Sequence, residues 1–181
     1  MIAEAQDEKT EGLLRFSEEL AEAQSDLKEL EEAISAGEAV GEGLERVLKS
    51  LKSAKGWGTF DMVGGGIIAT AIKHSKIDEA WNSAHQVQQL LRSFQRELGD
   101  VGARAELTVD IGSFSKFADY FFDGLIADWV VQSRIKSSLE NTVQAQKGVQ
   151  DIINRLKQSK IKVQEKTDLI REGRQTLLEG A

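Results

Sequence analysis

Apolar residues recur early in the chain at Leu13, Phe16, Leu20, Ala23, Leu27, Leu30 and Ile34, alternately three and four positions apart. That alternation keeps one narrow apolar stripe on a helix and predicts a heptad seam that needs one or two partner helices. The following stretch, "SAGEAVGEG" (35–43), carries three glycines. Glycine costs about 1 kcal/mol against alanine inside a helix, so a loosened or broken helix is expected there. A second helix is predicted over roughly 44–55, with Leu44, Val47, Leu48 and Leu51 on one face.

A further heptad run reads Ile77, Ala80, Ala84, Val87, Leu91, Phe94 and Leu98. Ser75 with Asp78 three residues on has the form of a capping box, and Gly99 is a natural stop. A break is therefore expected near His74–Ser75. Residues 99–112 read as non-helical, and the alternation of Leu107, Val109 and Ile111 predicts a short β element near 105–111.

From Ser113 the pattern is helical again. "FSKFADYFFDGLIADWVV" is apolar on nearly every side, as expected of a helix in the centre of a bundle. Beyond it the pattern thins to a stripe of Ile135, Leu139, Val149, Ile153, Leu156, Val163, Ile170 and Leu177, weakened by Thr142 and Gln146. A continuous helix of about 60 residues would be about 90 Å long. It either protrudes as a coiled coil or breaks, for instance near Gly148 or Ser159. The fold class expected is all-α: an elongated helical bundle with a protruding antiparallel coiled coil. The arm comprises 1–36 and 132–181, and a central bundle comprises 37–131, in one continuous domain.

Charge sharpens the pairing of the arm. Residues 1–36 hold eleven Asp/Glu and three Lys/Arg, whereas 132–174 hold five and ten. Two oppositely charged helices side by side satisfy both; a basic surface for an external acidic partner is the alternative. The net charge of −7 argues against a nucleic-acid binder driven by phosphate contacts. There is no proline, which favours long helices, and no cysteine, which removes disulfides, thiolate metal sites and cysteine nucleophiles. The acidic opening residues lack the apolar core of a signal peptide, and the nearest approach to a long apolar run, the eleven uncharged residues Met62–Ile72, is too short to span a bilayer. A cytoplasmic location is the expectation.

The stretch "GWGTFDMVGGGIIATAIKHSKID" (Gly56 to Asp78) holds the candidate motif: Trp57, Asp61, Gly64, Gly65 and Gly66. It is not a dinucleotide loop, because Asp61 stands where the third glycine belongs and a helix rather than a strand precedes it. Gly65 and Ala69, like Gly66 and Thr70, are four apart, a spacing that lets helix backbones approach closely. The expectation is a short helix capped by Thr59 or Asp61 and ended at His74–Ser75, pressed against the helix at 114–131. Membrane insertion of the apolar 57–72 segment and a partner-binding hinge are the alternatives.

His74, Asp78 and His85 fall within about 40° of one another on a helical wheel. With Asp119 and Asp123 they are candidate ligands for a metal in a helical bundle. Their stripe lies roughly 130° from the apolar face, which fits a solvated or ion-paired surface instead. Asp119, Asp123 and Asp128 lie in the most apolar helix and need partners, for which Lys73, His74, Arg92, Arg96 and Lys116 are available. No catalytic constellation and no cofactor motif is found, and no serine sits in a nucleophile elbow.

The segments "GWGTFDMVGGGIIATAIKHSKIDEA" and "FADYFFDGLIADWVVQSRI", together spanning roughly 53–135, resemble an uncharacterised family of bacterial, mainly Gram-positive, predicted coiled-coil proteins. The resemblance implies no activity, cofactor or partner. It implies one cluster of Trp57, Asp61, His74, Asp78, Asp119, Asp123 and Asp128 where the two segments meet. The function expected is a non-enzymatic scaffold or interaction protein, homodimeric through its coiled coil. The alternatives are a membrane-active protein exposing 57–72 and a His/Asp metal site.

Overall fold

In a computed structural model of the chain, residues 2–61, 66–103 and 135–180 are described. They form three helices: α1 (Ile2–Asp61), α2 (Gly66–Ala103) and α3 (Ile135–Glu179). The fold is an all-α helical bundle.

α1 is its spine, because both other helices pack against it. Their direction follows from the residues that meet. Leu177 of α3 lies over Gly12, Phe16 over Gly173, and Lys160 and Lys157 reach Glu31 and Glu38. α3 therefore runs antiparallel along nearly the whole of α1. Val87 and Leu90 of α2 lie at Gly43, and Phe94 lies at Gly37, so α2 is antiparallel to α1 along its second half. Among the described residues the result is a three-helix section followed by a two-helix arm, in which the start of α1 pairs with the end of α3.

Burial follows this division. In the shared section Leu30, Val40, Leu44, Val47, Val87, Phe94, Leu98, Val149 and Leu156 are fully enclosed in one core. Each such side chain contributes about 1.5–3 kcal/mol on leaving water. The apolar face predicted for α2 is buried at Ala80, Ala84, Val87, Leu91, Phe94 and Leu98. In the arm, Leu13, Phe16, Leu20, Val163 and Leu177 are only half-buried. The polar seam residues Thr142 and Thr167 are buried, each hydroxyl donating to the carbonyl one turn earlier, Ser138 at 2.6 Å and Val163 at 2.7 Å. Thr142 thus enters the core without an orphaned polar atom.

The expected opposition of charge is present at the surface. Lys157 Nζ lies 2.7 Å from Glu38 and Lys160 Nζ 2.8 Å from Glu31. Both pairs are substantially exposed, so each contributes at most about 1 kcal/mol and sets register more than stability.

Several expected breaks are absent. α1 runs unbroken through 35–43. The reason is packing: Gly37 and Gly43 lie beneath side chains of the neighbouring helices, and close approach offsets their low propensity. Gly41 faces no such neighbour, with nothing within 4 Å of a built Cβ. Gly41→Ala is therefore expected to raise the unfolding free energy by about 0.5–1 kcal/mol, measured by denaturant unfolding.

α2 is likewise continuous through His74–Ser75 and past Gly99 to Ala103, so Ser75 is no N-cap and Gly99 no stop. The buried run Ala80–Val101 carries the helix across Gly99, which is itself exposed. Residues 99–103, expected to be non-helical, belong to α2. α3 does not break at Gly148 or Ser159, because core residues flank both positions. The β element near 105–111, the helix from Ser113 and its segment 114–131 lie outside the described residues, apart from the part of that helix that forms α3.

Candidate interaction surface

The glycine-rich motif is divided between two helices. Trp57, Thr59 and Asp61 close α1, and Gly66 opens α2, while Gly64 and Gly65 lie outside the described residues. Thr59 and Asp61 thus sit at a helix C-terminus and do not cap a short helix at its start. The expected short helix is replaced by the end of one long helix and the beginning of another. No described helix is long and apolar enough to cross a membrane.

Of the His/Asp candidates, only the side chains of Asp78 and His85 are among the described residues. His74 belongs to α2, and Asp78 and His85 share its exposed face. The His85 ring meets Trp81 edge-on at 4.7 Å between centroids, and its Nδ1 lies 3.3 Å from Gln88 Oε1. Asp119, Asp123 and Asp128 lie outside the described residues. Among the described residues no group of three His, Cys, Asp or Glu is placed to hold a metal ion. No buried polar side-chain atom there lacks a hydrogen-bond partner.

The arm carries the more informative surface. Its two helices interlock reciprocally through glycine: Leu177 Cδ2 would lie 2.9 Å from a Cβ at Gly12, and the Phe16 ring 3.1 Å from one at Gly173. Lys9 Nζ closes the end by donating to the Leu178 carbonyl at 3.3 Å. A shallow open groove is lined there by Gly12, Phe16, Gly173 and Leu177, with Glu8 and Arg15 at its rim.

Two edges flank the apolar line Phe16, Ala23, Leu30 on α1, and their chemistry differs. On one edge, Gln6, Thr10, Leu13, Ser17, Leu20, Gln24 and Leu27 follow the heptad alternation without a charge. Thr10 and Ser17 satisfy their hydroxyls on the carbonyls of Gln6 and Leu13, both at 2.8 Å. On the other edge, Glu8, Gly12, Arg15, Glu19, Glu22, Asp26 and Glu29 follow the same alternation and are strongly acidic. Nearby, the Glu32 carboxylate accepts a hydrogen bond from Lys28, and with the negative charge around it holds that ammonium above its ordinary pKa.

Pattern reading found the apolar line and missed the glycines, although Phe16 and Leu177, both in predicted stripes, each require a small residue opposite. It also summed the acidic residues over the whole segment, so their confinement to one edge went unseen. A second open groove, between α1 and α2, is lined by Glu31, Glu32, Ser35, Ala36, Ala39, Leu90 and Ser93, and its two carboxylates are already paired with Lys160 and Lys28. The chain matches no protein-family model, no curated protein and no solved structure.

Proposed function

We propose that the chain is a non-enzymatic interaction protein that works through the surfaces of its helices, with the arm acting as an antiparallel coiled coil that accepts further helices. The observation that carries this reading is the half-burial of Leu13, Leu20 and Leu27 along an edge of α1 that bears no charge. Apolar residues at heptad spacing gain by adding another helix, and an uncharged flank lets an identical chain approach without repulsion. The reading therefore includes a homodimer through this edge, in the cytoplasm.

Light scattering coupled to size exclusion, over a range of concentrations, tests it. The expected mass is twice the 20.0 kDa of the chain at high concentration. Ser17→Glu with Gln24→Glu places like charges on the edge at two exposed sites and is expected to return the protein to a monomer. A monomer at every concentration removes the homodimer.

A further inference from the structure

The acidic edge of the arm continues a stripe that elsewhere holds α2. Following the same alternation along α1, Glu8, Gly12, Arg15, Glu19, Glu22, Asp26 and Glu29 lead into Ala33, Ala36, Val40, Gly43, Val47, Ser50 and Ala54. The second set is small and mostly apolar, and α2 covers it: Val87 Cγ2 would lie 2.7 Å from a Cβ at Gly43, and Leu90 shares a groove wall with Ala36. The first set lies in the same lane on the same helix, and from Glu8 to Asp26 it runs beyond the described residues of α2, which end at Ala103 beside Glu29. There the chemistry changes from small and apolar to acidic.

The lane also has an apolar floor. Gly12, Phe16, Gly173 and Leu177 form the open groove between α1 and α3. One turn before Gly173 on α3, Leu169 is 69% exposed. Glu8 and Glu22 are exposed and make no ion pair among the described residues. The one cation in the lane, Arg15, is engaged with Glu19 at 3.7 Å. The surface thus combines an open groove, apolar contacts and an excess of negative charge along one rim.

We propose that this lane is a docking site for a basic amphipathic helix of another protein, which would lie along the arm in line with the described part of α2. Its apolar face meets Phe16, Leu177 and Leu169, and lysine or arginine at helical spacing meets Glu8, Glu19 and Glu22. Recognition is of the helix-in-groove kind, with charge setting the partner and the approach rate. The inference rests on the reading of the arm as an interaction element. It is independent of the homodimer, which uses the opposite, uncharged edge.

The test uses the full chain and two labelled synthetic helices about three heptads long. Both carry leucine at the seam positions; one has lysine on the flanks and the other glutamate. Fluorescence anisotropy is expected to show binding of the lysine peptide alone, weakening as salt is raised. Glu8→Lys with Glu22→Lys is expected to weaken it about tenfold or more. Glu42→Lys with Glu45→Lys makes the same change in net charge at exposed sites outside the lane and is expected to leave binding within about twofold of the unmodified chain. Equal binding of the two peptides, no binding of either, or equal weakening by both double variants overturns the proposal. Light scattering on Glu8→Lys with Glu22→Lys reads the homodimer separately, so the two ideas fail independently.

Discussion

Phe94→Ala is expected to lower the unfolding free energy by about 3–5 kcal/mol, the largest effect of any single truncation among the described residues. Phe94 is fully enclosed and heads the fully buried side chains by volume. It reaches from α2 to the backbone of α1 at Gly37, where Ile153 of α3 also arrives. Removing the ring deletes a large apolar surface and leaves a void at the point where three helices meet. Because three helices fix the walls, collapse into the void is restricted, which places the cost toward the upper end of the range. Urea unfolding followed by circular dichroism measures it; a loss below about 1 kcal/mol would mean that Phe94 does not occupy this position.

Gly37→Ala is expected to be destabilising by about 1–3 kcal/mol, although alanine is the better helix former by about 1 kcal/mol. The added methyl would lie 2.9 Å from Ile153 Cγ1 and 2.9 Å from Phe94 Cζ. Two neighbouring helices, rather than one flexible side chain, would have to give way. Comparison with Gly41→Ala isolates the contact, since the same chemical change four residues away meets open space. In the Phe94→Ala background the penalty of Gly37→Ala should shrink, because one of the two obstructing groups is gone. The double-mutant cycle measures that coupling, expected between about 0.5 and 3 kcal/mol. Additive losses would place the two residues out of contact.

The contrast between Gly37 and Gly41 also locates the limit of sequence reading. Periodicity alone identified the buried faces of α2 and α3 and the second half of α1, because burial must recur with the turn of the helix. Glycine was read as punctuation, since local propensity is all that a single segment reveals. Whether a glycine breaks a helix depends on what lies across from it. Phe94 and Ile153 stand more than fifty and one hundred residues away from Gly37 in sequence, and no local pattern points to them. The same blindness affected Ser75 and Asp78, a sound capping box in isolation that the packing of Ala80 through Val101 overrides. Of the candidate site, the exposed stripe of Asp78 and His85 was legible from its angle to the apolar face. The acidic lane was not, because only the spatial register of α2 on α1 shows that the acidic edge and the small apolar edge beneath α2 are one stripe.

Lys9 and Leu178 meet at the end of the arm, so its two halves come from opposite ends of the sequence. The arm buries less apolar surface than the three-helix section, and local opening draws on the least buried parts of a structure. Zipping and fraying of the arm is therefore an event of its own, able to occur while the bundle stays folded. A helix held in the acidic lane would touch both halves at once, through Phe16 on one side and Leu169 and Leu177 on the other. Occupancy and closure would then be linked quantities: each favours the other by the same free energy, and the arm becomes a latch whose resting state a ligand can set.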